Sequence, residues 1–160
     1  MSNARVGKIH LQEVTKSNFM DLIKLKEKDE QKGFVAPNSV SIAEAHYSDF
    51  AWMRGIYFGD TPVGFLMLAD PVKRETGDAA EYNGIYYLWR LMIDQKHQCK
   101  GYAKNALDLL CDYVRTRPNA DYLYASYGPG KNGPEKFYLK YGFEKTGKMM
   151  EHEIVIRIKL

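Results

Sequence analysis

The chain has 160 residues, 45% apolar and 27% charged, with a net charge of +3. That suffices for one soluble domain with a real core, taken as residues 1–160. The charge is too mild and dispersed to argue for nucleic acid, and no apolar run approaches the roughly 18 residues of a membrane span. The first residues lack the apolar segment of a secretory signal. Two cysteines, Cys99 and Cys111, make no disulfide framework, so a reduced cytoplasm is the expected setting. His10, His46, His97 and His152 show no ligand spacing, so no metal site is expected.

Ile9 and Leu11 alternate with polar residues and predict a strand near 6–12. Ser17 offers an N-cap for a helix whose apolar face is Phe19, Leu22 and Ile23. The charged run 24–32 reads as the solvated face of that helix, which Gly33 ends. Pro37-Asn38 marks a loop, and Ser41-x-x-Glu44 reads as a capping box for a short second helix. Strands at 51–58 and 63–69 form a hairpin around Gly59-Asp60-Thr61-Pro62. The polar stretch 70–84 reads as a long turn. The run 85–93, almost wholly apolar or aromatic, predicts a central strand buried on both faces. Residues 101–116 form an amphipathic helix through Ala103, Ala106, Leu107, Leu110 and Val114. A strand at 122–126 and a helix at 133–141, ended by Gly142, follow. Ile154, Ile156, Ile158 and Leu160 alternate in a half-buried strand expected to end the sheet. The mixture is α/β, one layered sheet with hairpins and a strand–helix–strand crossover.

Between the strand at 85–93 and the helix after it lies Gln98-Cys99-Lys100-Gly101-Tyr102-Ala103-Lys104. Unpaired N–H groups at a helix start and the helix dipole favour an anion there. Small residues at 101 and 103 admit a phosphate close to the backbone, and Lys100 and Lys104 add positive charge. The stretch lacks the Gly-Lys-Ser/Thr of a P-loop and the glycines of a dinucleotide fingerprint. Its Gln-x-x-Gly-x-Ala resembles the acetyl-CoA signature of the GNAT N-acetyltransferase superfamily. Downstream, Tyr138-Leu139-Lys140-Tyr141-Gly142-Phe143 resembles that family's Tyr-x-x-x-Gly-Phe. The resemblance spans nearly the whole chain.

The resemblance implies the GNAT fold, a mixed and mostly antiparallel sheet flanked by helices. Its fourth and fifth strands, here 85–93 and 121–127, splay apart around acetyl-CoA, the co-substrate. Backbone groups at Leu91, Met92 and Ile93 would hold the pantetheine arm. Gln98, Cys99, Lys100, Gly101, Tyr102, Ala103 and Lys104 would take the pyrophosphate. Tyr138 would protonate the departing sulfur. Many relatives carry an asparagine seven residues before that tyrosine; here Lys131 stands there, with Asn132 next to it. In the animal diamine acetyltransferases a glutamate stands where this chain has Trp89, so that base does not carry over. Glu81 and Tyr87, acting through water, are the candidates, and a water chain without one essential base is the preferred expectation.

Two softer resemblances, Phe34-Val35-Ala36-Pro37-Asn38 with Ser41-Ile42-Ala43-Glu44-Ala45 and the tail from Gly142, are similar to bacterial spermine/spermidine acetyltransferases. They imply a small-molecule amine acceptor, a polyamine such as spermidine or spermine, acetylated by direct transfer in a ternary complex. Glu27, Asp29, Glu30 and Glu44 would give an anionic mouth for such a polycation. The competing readings are an enzyme acting on an amino acid, an aminoglycoside or a protein amine, and a non-catalytic CoA-binding sensor. A homodimer is left open.

Overall fold

The structure is a computed structural model that describes residues 7–73 and 84–160. Its strands are β1 (Ile9–Glu13), β2 (Ala51–Phe58), β3 (Thr61–Ala69), β4 (Tyr86–Ile93), β5 (Tyr122–Tyr127), β6 (Glu144–Met150) and β7 (Glu153–Lys159). Its helices are α1 (Phe19–Ile23), α2 (Asn38–His46), α3 (Tyr102–Arg115) and α4 (Glu135–Tyr141). The strands form one sheet in the order β1-β2-β3-β4-β5-β7-β6. Neighbours are antiparallel except β4 and β5, which are parallel and joined through α3. This is the expected α/β architecture.

The period of two sorts each strand between two faces. Leu66, Leu68, Leu88, Leu123, Ala125 and Ile156 meet Ala106, Leu107, Leu110 and Val114 of α3. On the other face Phe65, Met67 and Met92 are covered by Val14, Leu25, Val35, Ile42 and Ala45. The sheet therefore separates an α3–α4 side from an α1–α2 side.

A bulge in β4 decides where the functional cleft opens. Met67 pairs with Arg90, yet the next residue of β3, Leu68, pairs with Leu88, so Trp89 is extra. Such a bulge bends the strand and upsets its alternation. Trp89 packs against the Phe65, Met67 and Met92 cluster, and Arg90 bonds Glu44 of α2, so both side chains lie on the α1–α2 side. Pairing with β5 covers only Tyr86, Tyr87 and Leu88. Beyond them the two parallel strands diverge. The prediction of a buried strand holds for those three residues and for Met92 and Ile93; Trp89, Arg90 and Leu91 between them are half-buried.

Four sequence expectations need correction. The first helix ends at Ile23 instead of running to Gly33. The Lys26 N–H donates to Asp94 Oδ1 at 3.0 Å, and the Gln95 N–H to the Lys26 carbonyl at 2.7 Å. These long-range bonds hold Lys26 beside the end of β4, which overrides the local helical pattern. The residue at its N-cap is Asn18, whose side chain accepts the Thr15 N–H and donates to the Glu13 carbonyl, in place of Ser17. Ser41 is no cap: α2 begins at Asn38, and Ser41 is buried within it. Finally, β7 does not end the sheet. It lies between β5 and β6, because the Glu151-His152 turn folds β6 back along its outer side. Of the turn expected at 70–84, residues 74–83 lie outside those described.

Candidate active site

The divergence of β4 from β5 opens a cleft of about 1940 Å³ through the sheet. One wall is the part of β4 past its pairing with β5, including Leu91, Met92 and Ile93. The opposite wall is the end of β5 with the loop 128–134 and α4. Among the described residues no strand pairs with this edge at Leu91, Met92 and Ile93, and such an edge offers N–H and C=O groups to an extended ligand.

At one end of the cleft α3 begins. Gly101 caps it at φ 77°, and Cys99 has φ 60°, so two residues of this short turn are left-handed. A Cβ on Gly101 would meet no protein atom within 4 Å, so the glycine serves the turn's conformation and faces open space. The helix ladder first engages the Asn105 N–H, which reaches the Gly101 carbonyl at 3.1 Å. The amides of Tyr102, Ala103 and Lys104 precede it, and all three residues line the cleft. This is a fit for a phosphate group. Lys104 is half engaged already, bonding Asp108 at 2.8 Å. Gln98 also lines the cleft, but its side-chain amide donates to the Ile93 carbonyl at 3.0 Å and to Gln31 at 2.7 Å. It braces the turn against the α1–α2 loop. Cys99, Gly101 and Asn132 line the cleft, whereas Lys100 and Lys131 are exposed outside it.

Tyr138 lines the middle of the cleft from α4 and is only 7% exposed. Its ring packs edge-on against Phe143 and stacks with Tyr127. Gly142, at φ 124°, turns the chain so that Phe143 can reach back to it. That contact is the physical content of Tyr-x-x-x-Gly-Phe. Burial, and then the nearby Glu153 charge, push the phenol well above the ordinary tyrosine range. A phenol so placed stays protonated and able to donate.

Glu27 and Glu44, expected at an anionic mouth, both line the cleft; Glu30 does not, and Glu81 lies outside the described residues. Glu44 accepts from Arg90 at 3.0 Å, so its charge is balanced. Acidic residues that composition did not single out, Glu151 of the turn after β6 and Glu153 at the start of β7, reach the cleft. Tyr87 lines it too. Its hydroxyl donates to Ser126 Oγ, and Ser126 donates to Glu153 Oε2. Sequence reasoning missed Ser126 and Glu153. The only signal was the alternation that aligns Glu153 with Val155.

The sequence model of the acetyltransferase (GNAT) family matches residues 17–143. Spermine/spermidine N(1)-acetyltransferase of Bacillus subtilis (strain 168) is 23% identical over 141 residues, 88% of this chain and 91% of that relative. Among solved structures, aminoglycoside acetyltransferase AAC(6')-Ib in complex with coenzyme A superposes with a TM-score of 0.73 at 12% identity, over 95% of each chain. PaiA N-acetyltransferase from Thermoplasma acidophilum, in complex with coenzyme A, gives 0.66 at 14% identity, over 96% of this chain and 99% of that one. With the family's sequence matched over most of its length and the splayed sheet in place, the chain belongs to the acetyltransferase (GNAT) family, a family of acyltransferases.

Proposed function

We propose that the chain transfers the acetyl group of acetyl-CoA to a primary amine by direct transfer in a ternary complex, with a polyamine as the acceptor class. The observation that carries this reading is one continuous cleft. It joins the phosphate-sized turn at α3, the unpaired edge of β4 and the buried phenol of Tyr138. Acetyl-CoA supplies the activated acetyl group. The amides of residues 99–104 hold its pyrophosphate. The edge at Leu91, Met92 and Ile93 holds the pantetheine and aims the thioester, a positioning effect worth roughly 7 kcal/mol or more in ideal cases. Tyr138 donates a proton to the sulfur as it leaves. The acceptor enters from the α1–α2 side, where Glu27, Glu151 and Glu153 offer negative charge to an oligocation. The likeness to the spermine/spermidine enzyme supports the polyamine class.

The test is thiol release from acetyl-CoA with spermidine, spermine, putrescine, lysine and an aminoglycoside. The reading expects release with polyamines at the highest kcat/KM. Preference for lysine or the aminoglycoside would move the acceptor class. No release with any amine would favour a CoA-binding domain without catalysis.

A further inference from the structure

We propose that Tyr87, Ser126 and Glu153 form a proton relay that takes the acceptor's ammonium proton, with Glu153 its terminal acceptor. The inference rests on the transferase reading and deepens it. At neutral pH an alkylamine with a pKa near ~10.4 is almost wholly protonated, and the cation has no lone pair with which to attack. Something must remove that proton on the acceptor side of the sheet.

The three side chains come from three adjacent strands. Tyr87 of β4 pairs with Tyr124 of β5, and Ser126 of β5 pairs with Val155 of β7. Steps of two from Tyr124 to Ser126 and from Val155 to Glu153 keep all three on one face. It is the face that carries Trp89 and Phe50, opposite the α3 core. The two hydrogen bonds described for these side chains point the same way along the relay: the Tyr87 hydroxyl donates to Ser126 Oγ, and the Ser126 hydroxyl donates to a Glu153 carboxylate oxygen. Exposure rises along it, from a buried Tyr87 to a half-buried Ser126 and Glu153, so the far end can exchange with water. All three line the cleft, as Tyr138 does from α4.

The step balances. The ammonium gives one proton to the Tyr87 oxygen, the Tyr87 proton moves to Ser126, and the Ser126 proton moves to the Glu153 carboxylate. The freed nitrogen lone pair forms the C–N bond, and the C–S electron pair leaves on sulfur. Sulfur takes the Tyr138 proton, and the phenolate recovers one from the amide nitrogen. One net proton remains, on Glu153, and passes to solvent. The two proton tasks thus sit on opposite sides of the splay. The relay stands as the alternative to a water chain with no essential side chain.

The test compares wild type with Glu153→Gln, Ser126→Ala, Tyr87→Phe and Glu153→Asp. It uses acetyl-CoA and spermidine, or the amine most active in the panel, and measures kcat/KM across pH together with calorimetric CoA affinity. Among the described residues, the other ionisable groups around this region are Tyr124 of β5 beside Tyr87, Arg157 of β7 in register with Tyr124, Glu27, Tyr138 of α4, Glu151 and His152 of the turn after β6, and the Glu44–Arg90 pair; all remain in every variant. Each of the three disruptive variants should lose at least about tenfold in kcat/KM at pH 7, with CoA affinity unchanged. Glu153→Asp should recover part of the loss. The Glu153→Gln deficit should shrink as pH approaches the amine's own pKa, because the free amine needs no base. The double variant Tyr87→Phe with Glu153→Gln should be no worse than either single, since both break one path. Values within about twofold of wild type at pH 7, or a deficit constant with pH, would overturn the relay while leaving the transferase reading intact. Wild type inactive with every amine would overturn both. Should Glu153→Gln fail to fold, Tyr87→Phe and Ser126→Ala decide the matter by the same pH criterion.

Discussion

The two halves of β4 have almost the same apolar composition and opposite fates. Residues 86–88 pair with β5 and are buried, Tyr87 and Leu88 at the inner end of the cleft. The Tyr86 hydroxyl bonds the Pro118 carbonyl at 2.6 Å, and Asp70 beyond the end of β3 is fully buried. Asp70 accepts from Tyr113 of α3 at 3.2 Å and lies 3.1 Å from Arg117 Nε, a close ion pair without an aligned hydrogen bond. Trp52 stacks on Tyr113 with ring centres 4.1 Å apart. Residues 89–93 begin at the bulge, lose β5 and face a cleft. A parallel pair that is pinned at one end and bulged just beyond can only open at the other. The closed half holds the hinge of the splay, and the open half uses the ladder groups left over.

Losing the proposed proton donor, which faces the open half from α4, should have the largest effect. Tyr138→Phe removes one hydroxyl, and kcat should fall by ~10²–10⁴-fold, the range for general acid–base catalysis. In wild type the raised phenol pKa keeps the donor form present through pH ~10, where an ordinary tyrosine would ionise. The rate should therefore keep climbing through that pH as free amine accumulates; a fall centred near 10 would place the titrating tyrosine elsewhere. The closed half can be broken by Asp70→Ala, which leaves Arg117 without its carboxylate. About 3 kcal/mol of stability should be lost in urea unfolding, with the folded fraction still binding CoA. A loss of activity without a loss of stability would reverse the assignment of the two halves. Gly101→Val puts a β-branched residue at φ 77° at the start of α3 and should weaken CoA binding by about tenfold or more, with the circular dichroism of the fold retained. The smallest effect concerns the acceptor. Glu151→Gln should lower kcat/KM for spermidine by a few-fold and leave a monoamine of similar length unchanged. Salt should erase the difference, since screening acts over ~10 Å at 0.1 M.

Local pattern made much of this legible. Alternation and apolar runs placed every strand but β6, whose polar, largely exposed residues at the sheet edge carry no such signal, and α3 followed from its apolar stripe. The turn at 98–104 and the Tyr138, Gly142 and Phe143 set were visible because backbone conformation and ring contacts are encoded within a few residues. What was illegible depends on partners far away in sequence. Helix α1 stops early because Asp94 and Gln95 claim Lys26. The cancellation of Glu44 needs Arg90, which reaches that face only because of a bulge that no composition reveals. Ser126 and Glu153 matter only once β7 inserts between β5 and β6.

If acetyl-CoA binds and reacts in the gap between β4 and β5, a crystal structure of the chain with coenzyme A will show it there. Pyrophosphate oxygens should lie on the amides of residues 99–104, pantetheine along the edge of β4 at Leu91, Met92 and Ile93, and the sulfur within hydrogen-bond reach of the Tyr138 hydroxyl. Coenzyme A bound outside this cleft, or bound within it with its sulfur far from Tyr138, would contradict the proposed site.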